Sequence, residues 1–269
     1  MAQTFPKVQI KKFEDDAIAN VYAIEMDNQH FIWLATQNGI FRFDSRSFEK
    51  IPVKQTSGEN AEWTAVGAIC YQPASNRLVV MSPDKGLAVL IREADSLHFK
   101  EIHLPASIEA KDIKRLIRAG KDFALLTDRG LFIIDINPYG ARQVTVLHTI
   151  NRPYLSISSS SPAKICGLTA EGTIDTLSRA ASGQWSVRSL PASDKKNLLG
   201  TGDEIFDFVS VDSAFYVGTS RGLIIYRAGA KEITAEKRFS DTIIHAITPL
   251  APNGVAVASS RGLYFSQPG

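Results

Sequence analysis

Residues 218–222 read Gly-Thr-Ser-Arg-Gly, the G-x-S-x-G spacing that in hydrolases lifts a nucleophilic serine onto a strained strand-to-helix turn. Here FYV precedes the segment and LIIY follows it. Both flanks are strand-like, so Ser220 reads as a turn residue. His30, His98, His103, His148 and His245 show no H-x-H or HExxH spacing, and Cys70 and Cys166 stand singly in apolar runs. These are two buried thiols rather than metal ligands or a bridge. No Gly-rich phosphate loop opens a helix, and no EF-hand loop is present. What remains is carboxylate and imidazole: His245 with Asp207 and Glu204, and the oxygen-bearing set Asn20, Glu204, Asp207 and Asp241. Such groups are far apart in sequence, so only a repeating architecture can bring them together.

That architecture is visible. A short apolar run, a Ser or Thr, two polar residues, Gly and a second apolar run recur six times, with the glycines at Gly39, Gly86, Gly130, Gly172, Gly222 and Gly262. The second copy carries Pro83 where the others have a hydroxyl. Two polar residues followed by Gly supply the positive φ of a tight hairpin, and Val, Ile, Leu and Phe crowd both flanks. One further apolar segment precedes each hairpin, and a more polar alternating one follows most of them. Each copy is therefore four strands, here called a to d. A lone sheet of this kind cannot bury two apolar faces, but one packed between two siblings can. The pattern predicts an all-β chain: a six-bladed β-propeller with four antiparallel strands per blade.

The sixth copy lacks a fourth strand, while residues 7–13 (KVQIKKF) form an unclaimed alternating strand at the start. Placing 7–13 on the outside of the last blade closes the ring and removes its raw edges. The whole of 1–269 is then one domain. Blades fall at about 14–53, 62–104, 111–148, 152–190, 203–239, and 241–267 completed by 7–13. With 30 basic and 28 acidic side chains the net charge is +2. Such balance gives no field for nucleic acid, and no apolar run is long enough to insert in a membrane. The compartment is expected to be cytoplasmic if this chain is complete, and periplasmic or otherwise extracytoplasmic if it is part of a sensor.

Within residues 18–51, Asn20, Ile24, Asp27, Trp33, Thr36, Gly39, Phe41, Phe43 and Asp44 match the repeat of the two-component regulator propellers. That repeat runs approximately N-x-I-x-x-I-x-x-D and then W-I-G-T-x-x-G-L-Y-R-Y-D. The other copies keep the Thr/Ser-x-x-Gly turn, most fully YVGTSRGLIIY. The chain resembles that family closely in its first blade and as architecture throughout. The resemblance implies a ligand-binding sensor region that takes an oligosaccharide or a protein partner. Citron-homology and NHL propellers are similar in size and blade count and serve in protein interaction.

In a propeller the first strands line the channel, and the d–a and b–c loops share one face. The expected binding groups at that mouth are Asn20, Trp63, Arg115, Arg152, Tyr154, Glu204, Asp207, Asp241 and His245. Two long polar connections, 54–62 and 191–203, add loop candidates, with the apolar pair Leu198 and Leu199 in the second. Residues 158–162 (SSSSP) are an a–b turn on the opposite face and read as punctuation. The expected function is non-catalytic: a sensor-like or scaffold propeller that recognises a polar ligand or a protein on its loop-bearing face, with no cofactor. The alternative is a metal-assisted hydrolase or lyase, similar to the six-bladed calcium-dependent lactonases, with Asn20, Glu204, Asp207 and Asp241 as calcium ligands in the channel.

Overall fold

The recurring hydroxyl-x-x-Gly signature is a self-contained hydrogen-bonding device. Thr36 Oγ1 donates to the Gly39 carbonyl at 2.9 Å and accepts from the Asn38 N–H at 3.1 Å. Thr127 does the same around Gly130, Thr219 around Gly222 and Ser259 around Gly262. These glycines sit at φ between +120 and +136, backbone that a side chain rarely adopts. At Gly130 there is also no room, because a Cβ would lie 2.4 Å from the Ile150 carbonyl oxygen. Residues 218–222 are such a turn between two strands, and the Ser220 hydroxyl accepts from the Glu204 N–H.

This computed structural model describes residues 17–93, 96–190, 198–200, 202–228, 233–250 and 254–266. They form the six sheets of a β-propeller. Blade one is β1 (Val21–Met26), β2 (Ile32–Thr36), β3 (Gly39–Phe43) and β4 (Phe48–Ile51). The connection that follows holds β5 (Val53–Lys54) and β6 (Asn60–Ala61). Blade two is β7 (Ala68–Gln72), β8 (Arg77–Ser82), β9 (Gly86–Glu93) and β10 (Ser96–Ile102). Blade three is β11 (Ile113–Ala119), β12 (Asp122–Thr127), β13 (Gly130–Ile136) and β14 (Val144–Ile150). Blade four is β15 (Ser156–Ser161), β16 (Lys164–Leu168), β17 (Ile174–Arg179) and β18 (Trp185–Leu190). Blade five is β19 (Ile205–Val211), β20 (Ala214–Thr219), β21 (Gly222–Ala228) and β22 (Ile233–Arg238). Blade six shows β23 (Ile244–Leu250), β24 (Gly254–Ser259) and β25 (Gly262–Ser266).

Four sheets are simple antiparallel four-stranded meanders. Blade two differs, because β5 adds in parallel outside β10 and β6 pairs with β5. The expected loop 54–62 is thus partly an edge extension, anchored by buried Val53 and by the Phe99 N–H donating to the Pro52 carbonyl. Blade six has three strands among the described residues. The proposed closing strand 7–13 lies outside the described residues. A single 3-10 turn, Ala110–Asp112, is the one helical element among them. No helix there is long and apolar enough to cross a membrane.

Five apolar clusters fill the spaces between consecutive blades. Trp33, Trp63, Leu78 and Phe99 lie between blades one and two, and Phe123, Leu125 and Leu87 between two and three. Leu126, Leu131, Ile157 and Leu177 follow, then Phe208, Phe215 and Ile224, then Tyr216, Ile244 and Val255. Each such side chain, fully removed from water, contributes about 1.5–3 kcal/mol. Cys70 and Cys166 are free, buried thiols, and burial pushes Cys70 up to about 12. Ion pairs stitch the same junctions: Arg92 to Asp27 at 3.0 Å, Arg77 to Asp135 at 3.0 Å and Arg179 to Asp122 at 2.9 Å.

Candidate functional site

Each first strand starts beside the b–c turn of its own blade, so the beginnings of these strands surround the channel mouth. In four of them the register slips there by one residue. Val21 faces Thr36 while Ala23 faces Ala35, and Ile113 faces Thr127 while Arg115 faces Leu126. Ile205 faces Thr219 while Asp207 faces Gly218, and Ile244 faces Ser259 while Ala246 faces Ala258. The residues passed over are Tyr22, Lys114, Phe206 and His245. A bulge of this kind frees one side chain from the pairing and re-aims it. All four are exposed, Tyr22 by 52% and Phe206 by 42%. The Phe206 and His245 rings stand 6.2 Å apart, tilted by 47°, and Lys114 pairs with Asp128 of the b–c turn.

Below this crown lies a charged crossbar. Arg115 of β11 donates from Nη2 to Asp207 Oδ1 at 2.7 Å and from Nη1 to Ser156 Oγ at 3.0 Å. Asp207 also accepts from the Phe208 N–H through Oδ1 and from the Ile247 N–H through Oδ2, both at 2.8 Å. One guanidinium and one carboxylate therefore tie together the first strands of blades three, four, five and six. Charge-assisted bonds of this kind are about twice as strong as neutral ones.

The remaining expected residues divide. Glu204, Asp241 and Asn20 stay exposed on this face. Asn20 donates to Gln37 Oε1 at 2.6 Å, and Asp241 offers its carbonyl to Arg261. Trp63 is not at the mouth. It is 3% exposed, part of the cluster between blades one and two, with its indole N–H donating to Glu101 at 2.8 Å. Tyr154 is equally buried. Its ring fills the space that a side chain on Gly167 would need, and its hydroxyl donates to Asp175 at 2.8 Å. Arg152 pairs with that same buried carboxylate at 2.8 Å and donates to Ser189 Oγ. Burial, with the hydrogen bond to Asp175 second, raises the Tyr154 hydroxyl pKa. Leu198 and Leu199 pack against the cluster between blades four and five and so anchor their loop. Asp203 is likewise drawn inward, accepting from the Gly200 N–H and pairing with Arg221 at 2.9 Å.

Glu204, Asp207 and Asp241, three of the four expected calcium ligands, do not form one cluster. Among the described residues no group of three or more His, Cys, Asp or Glu is close enough to hold a metal ion, and the Asp207 oxygens already accept three donors. Sequence reasoning missed Tyr22 and Phe206, which looked like ordinary apolar positions of first strands. The signal that exposes them is the one-residue register slip shared by blades one, three, five and six.

No protein-family model matches this chain, and no curated protein does. Solved structures do. The extracellular domain of BT4673 from B. thetaiotaomicron, described as a hybrid two-component system, is similar at 18% identity with a TM-score of 0.64. The match covers 96% of this chain and 33% of that one. The extracellular domain of BT3049, described in the same way and from the same organism, is similar at 18% identity with a TM-score of 0.61, covering 91% and 33%. This chain thus spans about one third of the length of these two structures. A chain in the S. cerevisiae complex of dbp5 bound to nup159, gle1, ip6 and adp is similar at 11% identity, with a TM-score of 0.61, covering 93% and 74%. At such identities the likeness is one of fold.

Proposed function

We propose that this chain is a non-catalytic, sensor-like binding propeller, and that its mouth crown takes a polar ligand with flat apolar faces, such as an oligosaccharide. The single observation that carries the reading is the bulge at the start of β1, β11, β19 and β23, which frees Tyr22, Lys114, Phe206 and His245 from the strand pairing at the same end of each first strand. Exposed aromatic rings offer stacking surface, and Lys114 with the b–c turns supplies hydrogen bonds. The likeness to extracellular domains of two-component systems supports a sensing role. A thermal-shift screen against neutral oligosaccharides tests it. A ligand at a hundred times its Kd adds about 2.7 kcal/mol of stability. Phe206→Ala and His245→Ala are expected to abolish that shift while leaving the free protein's Tm within a degree or two. A shift that survives both changes overturns this site.

A second reading makes the same face a docking platform for a protein. A propeller of this shape occurs within the multiprotein dbp5 complex, which favours it. The same two substitutions distinguish it, since they would then weaken capture of a protein partner and leave every sugar inert.

A further inference from the structure

On the opposite face, the a–b turns of blades two, three and four surround a cavity of about 620 Å³. Two cations line it: Arg118 near the end of β11, and Lys121 in the turn that follows. Pro73, Ala74 and Pro162 supply apolar wall, and Ser159 and Ser161 polar rim.

The walls are fixed. Gln72 Nε2 donates to the Gly120 carbonyl at 2.6 Å and to the Asp122 carbonyl at 3.2 Å, which locks the turn of blade two to that of blade three. Gly120 has φ +69, and a Cβ there would lie 2.6 Å from the Pro162 carbonyl oxygen, so the turns of blades three and four abut with no space for a side chain. A rigid cavity of this size is in the range that holds a small molecule.

The charge is left over. A smaller groove of about 320 Å³ adjoins it, sharing Ala74 and Lys121. The arginines of that groove are matched, Arg77 by Asp135 and Arg179 by Asp122. Arg118 and Lys121 take part in no ion pair within 4 Å among the described residues, and no carboxylate lines the larger cavity. The field of Glu25 on β1 reaches Arg118 from the side, and that of Asp122 reaches Lys121 from the adjoining groove.

We infer that this cavity is a second binding site, independent of the mouth crown, for a small organic anion: a carboxylate or a phosphate monoester with an apolar body. The anionic group lies between Arg118 and Lys121, and the body rests on Pro73, Ala74 and Pro162. Cation pairs in a rigid recess favour anions when no close ion pair occupies their donors.

Calorimetric titration with phenyl phosphate, benzoate and inorganic phosphate at low salt tests the inference. Saturable binding of at least one of the two organic anions at one per chain is expected, and which of them binds tighter distinguishes phosphate from carboxylate. The bound anion should weaken at least tenfold in Arg118→Gln/Lys121→Gln and in Lys121→Glu alone, and stay unchanged in Arg188→Gln on the outer strand of blade four. Both cations are exposed, so the variants should keep the parent's melting curve. No saturable binding of either organic anion, or equal binding in the double variant, overturns the site. Inorganic phosphate binding as tightly as phenyl phosphate overturns the part played by the apolar wall.

Discussion

Arg115 and Asp207 are ninety-two residues apart and meet at 2.7 Å across the channel mouth, skipping the blade that lies between theirs. The intervening blade joins through Ser156, and the next through the Ile247 N–H. Asp207 is the hub of this arrangement, for it serves two backbone donors as well as the guanidinium. Arg115 serves only side chains.

The two partners should therefore differ in cost. Asp207→Ala strands two N–H groups and one cation, and should lower unfolding free energy by about 2–4 kcal/mol. Arg115→Ala should cost about 1–2 kcal/mol, because the carboxylate keeps its backbone donors. Urea denaturation of both variants checks the order, and equal losses would refute the hub.

Gly130 and Gly262 occupy equivalent turns at φ +136 and +128, but a Cβ on Gly130 meets the Ile150 carbonyl at 2.4 Å, whereas one on Gly262 meets nothing within 4 Å. Gly262→Ala should carry the conformational strain alone, about 1–2 kcal/mol. Gly130→Ala should lose clearly more, since the outer strand of its blade must also move. Tm values for the pair, measured side by side, decide this.

Glu25 is held above its ordinary pKa by burial, with Arg118 opposing in part. For a carboxyl whose folded pKa is raised, ionisation works against the folded state. The cost is complete above the folded pKa and gone below the unfolded value. Glu25→Gln should thus raise Tm at pH 7, with the gain shrinking to nothing as pH falls below about 4. A gain that persists at pH 3, or a loss at pH 7, contradicts the assignment.

Blade six has three strands among the described residues, and Leu263 of its β25 is 59% exposed. If residues 7–13 complete that sheet, as their alternation suggests, deleting them should cost at least about 2 kcal/mol, or about 4–8 °C in Tm for a domain of this size. An unchanged melting curve would assign that segment elsewhere.

How much of this was legible beforehand depends on the range of the interactions involved. The Thr-x-x-Gly turn is closed by its own hydroxyl and glycine, so four residues announce it and six repeats announce the ring. Arg115 and Asp207 come within reach of each other because first strands converge on the axis whatever their sequence. Trp63 and Tyr154 were assigned to the mouth by their place before a first strand, yet large aromatic side chains at a blade junction gain more from burial than from solvent. Nothing local separates the two outcomes. The bulge hides for a different reason: skipping one residue leaves IFDFV looking like ordinary alternation, and only the partner strand reveals that Phe206 is out of step. Blade two carried its own surprise, since a two-residue parallel pairing such as β5 is too short to leave a pattern.

The out-of-step residues have a consequence for how such a protein changes. Tyr22, Lys114, Phe206 and His245 stand outside the strand pairing and are exposed, so under the proposed reading a substitution there alters what the opening accepts at little cost to the apolar clusters between blades. On that reading, recognition and foldedness are written in separate positions of the same strand. New ligands can therefore be tried at four places, one per blade, by a scaffold that hardly notices the exchange.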